Sequence, residues 1–289
     1  MERRSFLSIA GVAAAAVPLM GRARASATSA GGGLIDTNVY VSSWVVRHAR
    51  PDTVRSVVEK LRHHGVTSAW AGSFEGVLHT DIAGVNTRLA EACAQQGGGL
   101  LRPFGTINPT FPDWEEDLRR CQENHHMPGV RLFPNYHGYT LDDARFASLV
   151  ELATRRGLLL QIVCSIEDDR SQNPELTAAP VNVAPLADVL KSSPQARVML
   201  LNSGSRVLGA NTPLLSQLVA AGVGFEIATL EGVGGIGSLL QRTPRIRLSF
   251  GSHVPYFYFE AALLKLQESP LSSEQLAAIT HGNAHAVLG

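Results

Sequence analysis

Short apolar runs alternate with amphipathic stretches along most of this chain. Runs that are apolar almost throughout occupy 33–41, 66–74, 100–107, 129–133, 158–164, 196–201, 223–228 and 246–250. A parallel strand covered on both faces reads this way, whereas a half-exposed strand alternates apolar with polar. Between the runs the period lengthens to that of a helix. In 53–62, Val54, Val57, Val58 and Leu61 fall on one face, and 85–95, 114–124, 141–156, 184–191, 212–221 and 257–266 carry similar stripes. The punctuation agrees: Asp142 and Asp143 open a helix, and Gly65 and Gly157 stop helices directly before strands. Strand and helix in alternation predict βα units around a parallel sheet, and eight such units predict a (β/α)8 TIM barrel. The alternative is a doubly wound open sheet, but the first turn lacks the Gly-x-Gly-x-x-Gly that would support it.

Residues 1–32 do not fit this scheme. Arg3-Arg4-Ser5-Phe6-Leu7 leads into an apolar stretch over 9–20 that closes on Ala23-Arg24-Ala25, a small-x-small cleavage pattern. The paired arginines point to the twin-arginine export machinery as a partner and to a periplasmic or secreted protein. The stretch is shorter than the roughly 20 residues a spanning helix needs, and no later segment is apolar enough to cross a bilayer. The expected organisation is a leader and flexible lead-in over 1–32 and one barrel over 33–289, with no membrane span in the mature chain. Twenty-five basic residues balance 25 acidic ones, which argues against nucleic acid, since displacing counterions from phosphates needs a basic face. The three cysteines, Cys93, Cys121 and Cys164, have no C-x-x-C spacing. They indicate neither a disulfide framework nor a zinc knuckle, although one pair could form after export.

Catalytic groups of such a barrel come from the carboxyl ends of its strands and the loops after them. Those positions are unusually polar here. The first strand ends in Asp36, Asn38 and Tyr40; the fourth in Arg131, then Asn135, Tyr136 and His137. The fifth gives Cys164 and the run Glu167-Asp168-Asp169-Arg170; the sixth Asn202 and Ser203; the seventh Glu226 and Thr229; the last His253 and Tyr256.

The segments Ile35-Asp36-Thr37-Asn38, Gly129-Val130-Arg131-Leu132-Phe133-Pro134, Phe250-Gly251-Ser252-His253-Val254-Pro255 and Gly282-Asn283-Ala284 resemble the amidohydrolase-related family, metal-dependent hydrolases, lactonases and decarboxylases of small acids. The resemblance runs in order over almost the whole mature chain and implies the same barrel. It also implies metal ligands, and here this chain departs. Asn38 and Tyr40 stand where the family carries His-x-His, Val163 near its fifth-strand His, Asn202 at its sixth-strand His, and His253 at its last-strand Asp. Neutral amides and a phenol are poor substitutes for imidazole and carboxylate.

The function expected is therefore an amidohydrolase-like hydrolase or lyase of a small carboxylate, lactone or sugar-derived substrate, without the family's metal site. His253 is the expected general base, because imidazole titrates near neutral pH, with Asp36 orienting it. Arg131 is expected to grip a substrate carboxylate. Asn38, Tyr40, His137, Asn202, Glu226, Asp169 and Arg170 complete the expected substrate-binding set. Plainer readings stand beside these. Asp36 would hold its loop by accepting backbone N–H groups, Arg131 would form a buried ion pair with Glu226 or Asp36, His253 would cap a helix or pack near Tyr256, and 167–170 would be a solvated loop. Two functional alternatives remain: a rearranged site for a divalent metal such as zinc, built from Asp36, Glu226, His253 and Cys164 or His137, and a ligand-binding barrel without turnover. Barrels of this kind often pair, which leaves room for a homo-oligomer.

Overall fold

A computed structural model describes residues 32–47, 49–168, 170–209 and 213–289. The leader expected over 1–32 lies outside the described residues except for Gly32. Among the described residues no helix is long and apolar enough to cross a membrane.

Every expected apolar run is a strand. The strands are β1 (Leu34–Tyr40), β2 (Val66–Gly72), β3 (Leu101–Pro103), β4 (Gly105–Thr106), β5 (Gly129–Leu132), β6 (Leu159–Val163), β7 (Arg197–Leu201), β8 (Gly224–Glu226) and β9 (Arg247–Ser249). All pairings are parallel, in the orders β1-β2-β3 and β4-β5-β6-β7-β8-β9. The single run 100–107 supplies both β3 and β4. It changes neighbours at Phe104, whose N–H donates to Ala71 O at 2.8 Å, next to Pro103, which has no N–H to offer. The other seam closes through Thr37 N to Phe250 O at 3.0 Å, His253 N to Asn38 O at 2.8 Å and Tyr40 N to Val254 O at 2.8 Å. The eight strand positions thus form a ring, and the open-sheet alternative does not apply.

Helices Val54–His63, Ile82–Gln96, Trp114–Glu123, Ala144–Arg155, Leu186–Ser192, Pro213–Ala220 and Phe259–Gln267 fill the expected places. Their ends follow the side chains. Thr53 and Ser56 form a reciprocal capping box, and Asp143 accepts from Arg145 N at 2.8 Å. Gly65 and Gly157 take φ of +74° and +66°, a conformation that favours glycine. The helix Gly235–Arg242 was not expected. Its Gly-rich entry reads as a loop, and burial of Ile236 and Leu239 stabilises it despite poor propensity.

Strand alternation separates two cores. Along β6, Leu160 and Ile162 pack with helix residues such as Val57 and Leu149, while Leu159 and Val163 join Ile35, Trp70, Phe104 and Met199. Gln161 shares the inward face with Leu159 and Val163 by the two-residue period. Arg131 of β5 meets it there: Nε donates to Gln161 Oε1 at 2.9 Å, Nη1 to Val39 O at 2.9 Å, and Nη2 to Trp70 O at 3.1 Å and Thr37 O at 3.5 Å. The guanidinium also lies 4.5 Å from the Tyr40 ring centroid. Gly72 makes room for it, since a Cβ there would sit 2.7 Å from Nη1.

Arg131→Met should lower stability by roughly 3 kcal/mol or more, because the carbonyls of Val39 and Trp70 would lose their donor while staying buried. Urea denaturation would show a lower midpoint at unchanged slope. Lys60→Ala, which breaks the exposed pair with Glu260, should change stability by less than about 1 kcal/mol.

Candidate functional site

Seven of the expected residues come together at the carboxyl mouth of the ring. Asp36, Asn38, Tyr40, Arg131, Asn202, Glu226 and His253 are all 3% exposed or less. Asn38 Nδ2 donates to Asn202 Oδ1 at 2.8 Å, and Asn202 Nδ2 donates to Ser165 O at 2.8 Å and faces His253 Nδ1 at 3.4 Å. Glu226 accepts from Asn202 N at 2.6 Å and Ala228 N at 2.5 Å. Burial holds the Glu226 carboxyl above its ordinary value.

Asp36 does not orient His253. One of its oxygens accepts from Asn38 N at 3.1 Å and Ser252 N at 3.0 Å, and the other accepts from Ser252 Oγ at 2.5 Å. Burial pushes its carboxyl up to about 7, and the three donors pull the other way. Ser252, which sequence reasoning passed over, is the partner that fixes the last strand's exit. Among the described residues Arg131 forms no ion pair with a carboxylate. It is 0% exposed, and its donors go to the three carbonyls and Gln161.

His253 is held at φ +58° by the seam. Its Nε2 lies 3.0 Å from Ile166 O. A carbonyl only accepts, so Nε2 carries the proton and Nδ1 keeps the lone pair that faces the Asn202 amide. Burial depresses the imidazole to about 3. With both nitrogens engaged and the ring desolvated, the general-base role expected for it is not served by this geometry.

The remaining expected residues lie elsewhere. His137 Nε2 contacts Gly76 O at 2.9 Å, and burial lowers its pKa to about 4. Arg170 is exposed and paired with Asp168 at 2.5 Å, and both line the cavity beside the buried set. Asp169 lies outside the described residues. The cysteines are all buried free thiols, so the pair left open above does not form.

Beside the buried set, on the same rim, opens a cavity of about 840 Å³ between the loops after β6, β7 and β8 and the helix Phe259–Gln267. Asn202 belongs to both. Glu167, Ser203, Thr229, Lys265 and Phe257 also line it. Lys265 Nζ donates to Ile227 O at 2.9 Å and to Ala228 O, which leaves the third N–H of the ammonium. Burial lowers the Lys265 pKa, with Glu226 and Glu231 opposing. Ser203 and Thr229 had been noted as strand-end residues. Glu167 and Lys265 were missed, one inside an acidic run that reads as solvated and the other on the apolar stripe of a helix.

The positions at which the resemblance places metal ligands do not fit a divalent metal. Val163 has no donor atom, Asn38 and Asn202 offer neutral amides, and burial raises the Tyr40 phenol. Both His253 nitrogens are occupied. Among the described residues no three or more His, Cys, Asp or Glu side chains gather as a metal-holding group, which removes the rearranged set drawn from Asp36, Glu226, His253 and Cys164 or His137.

An amidohydrolase family model matches residues 44–207. No curated protein sequence matches the chain. Several solved structures share its fold. A point variant of 5-carboxyvanillate decarboxylase from Novosphingobium aromaticivorans, with bound manganese, is 14% identical with a TM-score of 0.68, covering 88% of this chain and 96% of that one. The 2,6-dihydroxybenzoate decarboxylase from Rhizobium is 12% identical, with a TM-score of 0.67 and coverage of 89% and 98%. A probable 2-pyrone-4,6-dicarboxylic acid hydrolase from Acinetobacter baumannii, with citric acid bound, is 14% identical, with a TM-score of 0.57 and coverage of 89% and 99%. At such identities the likeness is one of fold.

The His253 imidazole sits at about 3 against an ordinary 6.5, so between those values the folded chain binds fewer protons than the unfolded one. Its contribution is present above pH 6.5 and lost as pH falls toward 3. Across that window wild type should lose stability relative to His253→Gln by roughly 1.4 kcal/mol per pH unit. Parallel denaturation of the two proteins checks this, and a pH-independent difference would refute it.

Proposed function

The chain belongs to the amidohydrolase family, and on that premise we propose that it is a hydrolase or lyase of a small carboxylate that works without a metal at the family's position. The observation that carries this reading is the rim cavity, which lies over Asn202 where barrel enzymes bind substrate. Lys265 is the cation suited to hold a substrate carboxylate, with its ammonium fixed by two backbone carbonyls. The hydroxyls of Ser203 and Thr229 lack partners and are able to donate to a carbonyl or a developing oxyanion. His253 is neither basic nor on that wall, so it takes no part in proton transfer there. Lactones and sugar-derived acids of the size of the cavity fall within the same reading. So do twin-arginine export and a periplasmic or secreted location, supported by Arg3-Arg4-Ser5-Phe6-Leu7.

A second reading, ligand binding without turnover, is favoured by the engagement of both His253 nitrogens and of the Arg131 donors. Its mark is a ligand that raises the melting temperature and is never consumed.

A screen of small carboxylates, lactones and esters with chelator-treated protein separates these readings. The enzyme reading expects turnover that survives the chelator, and a KM at least about 10-fold higher in Lys265→Met. Turnover that vanishes with the chelator and returns with manganese would overturn the metal-independent mechanism, and no turnover of any compound would overturn the enzyme.

A further inference from the structure

Glu167 is a buried carboxyl in the cavity wall that forms no direct ion pair among the described residues. It is 4% exposed. Its Oε1 accepts the Tyr256 hydroxyl, and Arg47 Nη1 donates to that same hydroxyl at 3.3 Å. Its Oε2 is buried and has no hydrogen-bond partner. Arg47 bonds the Tyr256 hydroxyl and acts on Glu167 through space, without a direct bond to it.

Arg206 and Glu268 also line the cavity, and three of its other charges have partners. Asp168 pairs with Arg170, Glu231 accepts from Ser205 Oγ at 3.0 Å, and the Lys265 ammonium is held by carbonyls with Glu226 nearby. A buried carboxylate oxygen with no donor and no cation in contact is costly, and such a group calls for a ligand that supplies what is missing. A hydroxyl would donate a hydrogen bond and leave the charge unpaired, whereas an ammonium supplies both. The Phe257 ring on the same wall favours a cation as well.

We propose that the cavity takes a small zwitterion, an amine-bearing carboxylate whose ammonium pairs with Glu167 while its carboxylate goes to Lys265. The carboxylate half rests on the proposed role of Lys265, and the amine half rests on Glu167 alone. Tyr256 is a positioning residue that fixes the Glu167 carboxylate through Oε1.

Calorimetric titration of the whole protein with matched compounds tests this: phenylalanine and leucine, their 2-hydroxy acids, their N-acetyl derivatives and the corresponding decarboxylated amines. The amino acids should bind at least about 10-fold more tightly than the hydroxy acids and N-acetyl compounds. Glu167→Gln, with an unchanged circular dichroism spectrum, should abolish that preference and leave hydroxy-acid binding within about twofold of wild type. Tyr256→Phe should weaken amino-acid binding while keeping the preference. Hydroxy acids that bind wild type as well as amino acids, a preference that persists in Glu167→Gln, or no binding by any compound would overturn the proposal. Decarboxylated amines binding as tightly as the amino acids would overturn the zwitterion and, with it, the role of Lys265. Turnover of carboxylates with no preference for an amine would remove this inference and leave the proposed function standing.

Discussion

The seam between β9 and β1 is the constraint on which the rest depends. A ring of parallel strands must join its last strand to its first, and the joining residues here form the mouth of the site. Asp36 does this work from the inside, accepting Ser252 N and Oγ on one strand exit and Asn38 N on the other. That burial carries a cost, visible in a carboxyl pushed up to about 7: the group favours the folded state least when it is ionised, so the seam weakens as pH rises from about 4 toward 7. Backbone bonds from His253 and Tyr40 across the same seam offset the loss and hold His253 at a positive φ.

A metal ion joins the strands it binds by pulling several ligands to one point. In this chain hydrogen bonds perform the same joining. Asn38 on β1, Asn202 after β7 and His253 after β9 meet through two amides and an imidazole, and Glu226 of β8 fastens the Asn202 backbone. Below them Arg131 and Gln161 form a polar layer where a barrel ordinarily packs branched apolar side chains. An arginine satisfied by main-chain carbonyls is rigid, because each donor has one place to go, and it needs no carboxylate to be stable. The Arg131 charge therefore serves the strands.

The ring was legible because strands covered on both faces must be apolar throughout, and eight such runs with glycine stops before them admit few arrangements. The helix at Gly235–Arg242 was hidden by its glycines, since propensity was the only local signal and tertiary packing overrode it. At the site, the sequence showed which residues lie at strand ends but not which way their bonds run. Arg131 and Gln161 occupy inward positions of adjacent strands, and that pairing of polar residues inside apolar runs is the signal that would have marked an internal layer. Glu167 was obscured for the opposite reason: beside Asp168, Asp169 and Arg170 it reads as solvated, and only the path of the loop buries it.

The two halves of the site are coupled through that loop. Asn202 Nδ2 donates to Ser165 O and His253 Nε2 donates to Ile166 O, so these two side chains grip the two residues that precede Glu167. Each of these bonds ends on a backbone carbonyl, which fixes the course of the chain whatever side chains it carries. Asn202 and His253 thereby help set where the buried Glu167 carboxyl sits beside the cavity. The Asn202 amide and the His253 imidazole thus frame the loop that carries Glu167 to the cavity.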